Sequence, residues 1–406
     1  MIVDLKPLLV LVVGLVGSWF LVRLLAKRGI DASGLEAAVL GILAGPHIEG
    51  LVTTTTLTAF SPMISFALGL LGFRVGLRLK TSFFRNRPTD TLRITLIIAA
   101  ITALFVGIAV FGLLYWNFDR GNLGAATGIL IAAALLSSPT VVQELIQRDR
   151  STGETTEIVQ HVAVLSEVLG ILVLGIVFAI YHHGPSAIAG SRPLVAVEWL
   201  ALAITAGVVI GLLFSWFLGT IGQAENPMMV TTLGMLLFAA GICMAFGLSP
   251  ILVCMVVGVV VANTSAVNES IEEPCRKIWK PVLALLIFAV ACAWHPPPYI
   301  AWALIPAFLI VRLAGRWVGG MAAKVACNDE RDRATDRIGL SLIGQGGIAV
   351  AIALNAWQVY NDAISSTVVT CLLVVGLLNE LPSVWVVRNT LVDAGDYPVD
   401  SMEDSA

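Results

Sequence analysis

The chain has 406 residues, of which 58% are hydrophobic and only 13% are charged, whereas a soluble domain carries about 25% charged residues. The charged residues lie between long apolar runs, many of which reach the roughly 20 residues that a helix needs to cross a bilayer. This composition excludes a soluble protein, and runs that are continuous rather than alternating exclude a transmembrane β-barrel. The six cysteines have no paired spacing, so we interpret them as small packing residues rather than disulfides or metal ligands.

The apolar segments predict an all-α integral membrane protein with about thirteen transmembrane helices. They divide into one six-helix repeat over about 7–182, a linker helix over about 194–220, and a second six-helix repeat over about 227–387. The predicted helices are 7–27, 34–48, 57–79, 92–116, 122–147, 155–182, 194–220, 227–246, 248–263, 277–294, 299–323, 335–357 and 364–387. The transmembrane domain is thus predicted over 1–390, followed by a short acidic cytoplasmic tail over 391–406.

The basic residues predict the orientation of these helices. Arg23, Lys27 and Arg28 follow the first apolar run, whereas a cleaved signal peptide carries such charges before it. Lys and Arg then concentrate in every second loop, as expected for the cytoplasmic side. We expect a retained first helix, an outside N-terminus and a cytoplasmic C-terminus, and the short loops favour a bacterial inner membrane.

Two predicted helices are interrupted near their centres, the fifth (122–147) and the twelfth (335–357). Proline removes a backbone N–H and clashes with the preceding turn, and clustered glycines weaken a helix. The breaks lie seven helices apart, and because seven is odd the two repeats are predicted to be inverted. Interrupted helices at matching positions of inverted repeats point to a transport site. The residues at the breaks are Ser137, Ser138, Pro139 and Thr140, and Gly344, Gln345, Gly346 and Gly347.

Glu167 is the acidic residue that lies too far from the ends of its predicted helix to reach a membrane surface. It lies near the centre of the sixth predicted helix, and a charge at bilayer depth costs about 2.5–3.5 kcal/mol on insertion scales. Gln160 and His161 lie toward the inner end of the same helix, where we interpret them either as part of a polar inner funnel or as interfacial residues. A purely structural ion pair is the alternative reading for Glu167.

Arg312 is the matching deep cation, on the eleventh predicted helix. It stays charged at any working pH, so it is not the proton carrier. We predict that it compensates the negative C-terminal ends of the broken helices or pairs with Glu167. Arg316, one turn closer to the inside, is predicted to be an interfacial anchor, and Glu380 to lie within reach of the inner surface.

Several motifs together resemble the monovalent cation/proton antiporter superfamily. GILAGP (41–46) and FALGLLGFRVGLRL (66–79) resemble its second and third helices, and SSPT (137–140) and GQGGIAVA (344–351) resemble its broken helices. SEVLGI (166–171) stands where members have an acidic pair or an Asn-Asp or Gln-Asp pair, and Arg312 stands where members have Lys or Arg. The chain departs from the pattern in having Glu167 for Asp and Ser166 for the residue before it.

The resemblance implies the fold of a sodium/proton antiporter, with discontinuous helices that cross. It implies that Glu167 binds a proton or a monovalent cation (Na⁺ or K⁺), with Ser138, Thr140 and Ser166 as candidate oxygen ligands. Alternating access would follow from movement of one bundle, the third to sixth and tenth to thirteenth predicted helices. A homodimer is expected from the resemblance, with no cofactor, no further metal site and no nucleic-acid partner.

Three other readings remain open at this point. A sodium-coupled symporter of an organic anion has the same architecture but needs polar groups for its substrate. An intramembrane enzyme is disfavoured, because neither an HExxH nor a GxSxG motif is present. A sensor of the same fold that transports nothing is the third reading, which Ser166 keeps open.

Overall fold

A computed structural model of the chain describes residues 35–46, 54–85, 90–117, 122–149, 151, 153–182, 194–221, 225–264, 268–296, 299–327, 335–360 and 363–396. Within these ranges every regular element is an α-helix. The helices are α1 (Leu35–Ala44), α2 (Thr54–Ala59), α3 (Ser61–Leu77), α4 (Thr81–Arg85), α5 (Asp90–Asn117), α6 (Leu123–Leu135), α7 (Pro139–Asp149), α8 (Glu154–Ile180), α9 (Ala196–Ile221), α10 (Glu225–Phe246), α11 (Pro250–Thr264), α12 (Asn268–Ala293), α13 (Tyr299–Cys327), α14 (Thr335–Ser341), α15 (Gly346–Val359) and α16 (Ala363–Asp393).

The predicted all-helical membrane fold is confirmed, and both predicted breaks are present. The segment 122–147 forms α6 and α7, and the segment 335–357 forms α14 and α15. Six spans among the described residues are long and apolar enough to cross a membrane, or seven if the two parts of α16, bent by 44°, form one span. The first predicted helix, 7–27, lies outside the described residues, and the count of thirteen stays a prediction.

Three long helices, α5, α9 and α10, keep most of their apolar surface uncovered. Ile108 of α5, Trp216 of α9 and Val230 of α10 are each about 70% exposed, at 68%, 71% and 71%. Apolar surface of this extent is unstable in water and stable against lipid chains. These helices therefore mark the chain as an integral membrane protein.

The helices form two compact units. The described residues of the first lie within 1–86, 174–296 and 350–369, and its centre is the pair α3 and α11. A Cβ added to Gly72 of α3 would lie 2.1 Å from the carbonyl oxygen of Ile251, and one added to Gly258 of α11 would lie 2.3 Å from that of Phe73. Only glycine lets two helix backbones approach this closely, as in other membrane helix pairs.

The same packing bears on the predicted composition of the moving bundle. The third and tenth predicted helices correspond to α3 and α12, and both belong to the first unit. α3 is locked to α11, while α12 packs against α1, where a Cβ on Gly41 would lie 2.5 Å from the carbonyl oxygen of Phe288. By packing, these two helices belong with the first unit, whereas both breaks lie in the second.

The described residues of the second unit lie within 87–173, 297–349 and 370–406 and include both breaks. Its core brings together apolar side chains of α5, α7, α8, α13, α14 and α16, including Ile98, Val162 and Leu391. α13 lies against α5 through Gly315 and Gly319, where an added Cβ would lie 3.0 Å from Cα of Thr102 and 2.9 Å from Cα of Ile98. This unit contains the candidate residues at the two breaks, on α8 and on α13.

Candidate ion site at the broken helices

The first break separates α6 from α7 at residues 136–138. α6 ends at Leu135, the next residue has an extended backbone (φ −64°, ψ 142°), and α7 begins at Pro139. Proline suits the first position of a helix because its missing N–H would have no intrahelical partner there. Pro139 therefore starts the second half-helix rather than merely kinking a continuous one.

The second break separates α14 from α15. α14 ends at Ser341, and α15 begins at Gly346, whose φ of +64° is a left-handed conformation that glycine adopts without strain. A Cβ on Gly344 would lie 3.3 Å from Cβ of Ser138 and 3.1 Å from Cβ of Ser383. The second break therefore lies directly against the first, with α16 beside both.

Arg312 binds the C-terminal ends of α6 and α14, the half-helices that precede the two breaks. It is fully buried, and its Nε donates to the carbonyl oxygen of Ala134 at 3.1 Å while Nη2 donates to that of Leu136 at 2.9 Å. Its Nη1 donates to the carbonyl oxygen of Ile343 at 2.7 Å. The last carbonyls of a helix have no intrahelical donor and carry partial negative charge, so one guanidinium satisfies two such ends.

Arg316 joins the same cluster, and the prediction that it is an interfacial anchor was wrong. It is 1% exposed, and its Nη2 donates to the carbonyl oxygens of Leu135 at 2.8 Å and Leu136 at 2.7 Å. Its Nη1 donates to Oγ of Ser137 at 3.0 Å. Two buried guanidiniums are tolerated here because several charge-assisted hydrogen bonds replace their hydration.

Gln345 and Asn379 complete the support of this crossing. Gln345 is fully buried, its Nε2 donates to the carbonyl oxygen of Ala133 at 3.0 Å, and its Oε1 accepts from Nδ2 of Asn379 at 3.4 Å. The side chain of the second break thus binds the end of the first half-helix and is itself held by α16. Gln345 was predicted as a residue of the break, whereas Asn379 was not singled out.

The N-terminal ends of α7 and α15, the half-helices that follow the two breaks, carry different groups. Ser138 precedes α7, and its Oγ is 2.7 Å from Oγ1 of Thr140. At the start of α15, the N–H of Gly346 donates to Oε2 of Glu380 at 3.3 Å. Glu380 was expected to reach the inner surface, but it is half-buried and lies against the second break.

Glu167 is the middle residue of the 27-residue helix α8 and is 6% exposed. Ser166 beside it is 3% exposed. Gly170, three residues on and therefore on the same helix face, packs against the first half-helix. A Cβ added there would lie 2.9 Å from the carbonyl oxygen of Ala132 and 2.5 Å from a methyl carbon of Leu136. α8 thus brings the face that carries Glu167 against the end of α6.

Gln160 and His161 lie nearer the start of α8. Gln160 is half-buried, whereas His161 is 5% exposed and its Nδ1 hydrogen-bonds the carbonyl oxygen of Glu157. Ala163, between Gln160 and Glu167 on the same helix face, is packed in the apolar core of the unit. The inner funnel stays a prediction.

Comparisons with known proteins agree with this architecture. A family model described as "Sodium/hydrogen exchanger, transmembrane" matches residues 35–381, which include both breaks, Glu167 and Arg312. A structure of the sodium proton antiporter MjNhaP1 from Methanocaldococcus jannaschii at pH 8 has a TM-score of 0.69 at 14% identity, over 96% of this chain and 98% of that chain. An electron microscopy map of the same antiporter has a TM-score of 0.68 at 16% identity, over 96% of this chain and 97% of that chain. At such identities the likeness shows the fold alone, and a search of curated proteins finds no match.

Proposed function

The chain belongs to the sodium/hydrogen exchanger family, and from this premise we propose that it exchanges a monovalent cation for protons by alternating access, with Glu167 as the carboxylate that holds both ions in turn. The family and the fold are those of a transporter rather than an enzyme. The observation that carries the assignment to Glu167 is a buried carboxylate at the midpoint of an apolar helix, on the face that packs against a broken helix.

Competition for one carboxylate couples the two fluxes. A bare carboxylate is expensive to move through the apolar centre of the membrane, whereas a carboxylate neutralised by a proton or a cation is not. The site therefore changes its access only when it is loaded. With one shared carboxylate, each cation exchanges for one proton, and the cycle moves no net charge.

The oxygen atoms around the first break suit a dehydrated alkali cation. Na⁺ and K⁺ are hard cations that prefer oxygen ligands, and Ser138, Thr140 and Ser166 offer neutral hydroxyl oxygens on or beside the half-helices. The role of Arg312 in this proposal is to neutralise the half-helix ends, to whose carbonyl oxygens it is bonded. Its charge then remains constant while Glu167 titrates.

The test is proton flux in liposomes that contain the purified protein, followed with a pH-sensitive dye after pulses of Na⁺, K⁺ or Li⁺. We expect cation-triggered flux that vanishes in Glu167→Gln, because the amide neither takes up a proton at working pH nor supplies the negative charge that compensates a bound cation. Flux should survive in part in Glu167→Asp. Glu154→Gln removes an exposed carboxylate from the first turn of the same helix and should retain flux. Wild-type flux that persists in Glu167→Gln would refute the assignment, and a folded wild type that responds to no cation would refute antiport.

A further inference from the structure

A second carboxylate borders the crossing and has no part in the mechanism above. Glu380 lies on α16, and its Oε2 accepts the backbone N–H of Gly346, the first residue of α15. The backbone carbonyl oxygen of Glu380 accepts a second hydrogen bond, from Oγ of Ser383 at 2.6 Å. The carboxylate therefore lies at the positive end of the half-helix α15, where a negative charge is favourable.

Gly346 connects Glu380 to a candidate ligand of the cation. A Cβ on Gly346 would lie 3.0 Å from Oγ of Ser138 and 3.3 Å from its Cβ, so Ser138 is in contact with the residue that Glu380 holds. The two arginines lie on the C-terminal ends of the half-helices. Glu380 is thus the acidic counterpart of the arginines, at an N-terminal end.

We propose that Glu380 is a positioning residue for the ion site, which it serves by holding Gly346 and by lowering the electrostatic potential beside Ser138. This inference rests on the proposed function. In this proposal Glu380 remains ionised through the cycle, whereas Glu167 is repeatedly neutralised. Removing the charge makes the potential at the site more positive, which weakens the binding of any cation there.

A proton and an alkali cation carry the same charge, so the loss of Glu380 weakens the binding of both by a similar factor. At alkaline pH few protons compete, and the apparent KM for the cation rises by that factor. At acid pH protons occupy the site, their weaker binding offsets the weaker binding of the cation, and the apparent KM stays nearly constant. A distorted site would instead raise KM at both pH values.

The charged groups around Glu380 define the controls. Glu144 of α7 is exposed and makes no described contact with Gly346. The guanidiniums of Arg312 and Arg316 are bonded to carbonyl oxygens at the C-terminal ends of α6 and α14. Glu144→Gln therefore removes the same charge from the same unit at a solvent-screened position, while Glu380→Gln keeps the hydrogen-bond acceptor and loses only the charge.

The experiment measures cation-driven proton flux in liposomes as a function of cation concentration, at alkaline and at acid pH. In Glu380→Gln we expect KM to rise about fivefold at alkaline pH, the scale of a charge at a partly buried helix end, with little change at acid pH. Glu380→Asp keeps the charge, and its KM should lie within about twofold of the wild-type value. The KM of Glu144→Gln should also lie within about twofold of wild type, because exposed charges are screened.

Each outcome separates this inference from the function on which it rests. Wild-type flux that vanishes in Glu167→Gln supports the proposed function. Given that result, an unchanged KM in Glu380→Gln at alkaline pH would overturn the positioning role. So would an equal rise at both pH values, or a loss of the maximal rate in the Asp and Gln variants alike, because either result identifies a purely structural residue. A wild type without flux overturns the proposed function itself.

Discussion

Arg316 donates a hydrogen bond to Oγ of Ser137, 3.0 Å away, inside the break between α6 and α7. The neighbouring serine has a different partner, because Oγ of Ser138 bonds Oγ1 of Thr140 at 2.7 Å. Two adjacent serines of one motif are therefore held by different groups. Ser137 is bonded to Arg316 beside the C-terminal end of α6, whereas Ser138 lies at the N-terminal end of α7.

This division predicts opposite effects of two alanine substitutions. Ser137→Ala leaves one N–H of a buried guanidinium without its acceptor, which should lower the free energy of unfolding by about 1–3 kcal/mol with little change in the KM for the cation. Ser138→Ala removes a candidate ligand and should raise that KM while stability changes less. Thermal unfolding of the purified protein and flux titrations measure the two quantities, and the division would be refuted if the two effects were exchanged.

Gly170 is predicted to be indispensable for the placement of Glu167. Its Cβ position is occupied by Leu136 and by the carbonyl oxygen of Ala132, so Gly170→Ala must push α8 away from α6. We expect a lower melting temperature and loss of most cation-driven flux. Gly112→Ala is the matched control, because nothing lies within 4 Å of its Cβ position and alanine favours a helix by about 0.5–1 kcal/mol over glycine. A Gly170→Ala protein with wild-type flux would contradict this account.

Asp396 is predicted to stabilise the start of the helix that carries Glu167. Its Oδ2 accepts from the backbone N–H of Thr156 at 2.7 Å and from Oγ1 of the same residue at 2.9 Å, which satisfies a donor in the first turn of α8. Asp396→Ala should therefore lower the free energy of unfolding by about 1–2 kcal/mol, the scale of a lost helix cap.

The control for Asp396 is another acid near the end of the described chain. Asp393 forms an exposed ion pair with Arg337, and Asp393→Ala should cost less than about 1 kcal/mol because exposed pairs contribute little. Thermal unfolding of the two purified variants compares them directly. Equal losses of stability would show that the contact between Asp396 and Thr156 does not cap the helix.

Much of the fold followed from local chemistry in the sequence. Pro139 separates α6 from α7 for a local reason, because its ring lacks an N–H and blocks the preceding turn. Gly346 allows a positive φ for an equally local reason. Glu167 stands out because a charge amid long apolar runs has no nearby surface to reach.

The roles of Arg316 and Glu380 could only be decided by tertiary structure. Arg316 lies 182 positions from Ala134, whose carbonyl oxygen it binds, and Glu380 lies 34 from Gly346. Both side chains lie near enough to a predicted helix end for the sequence to suggest that they reach the interface. They are instead bonded to the ends of half-helices, whose unpaired N–H and C=O groups carry partial charges. These ends come together only when α6, α13, α14, α15 and α16 pack against one another. A helix dipole is a property of a folded segment, so no pattern of residue types along the chain shows which side chain will face it.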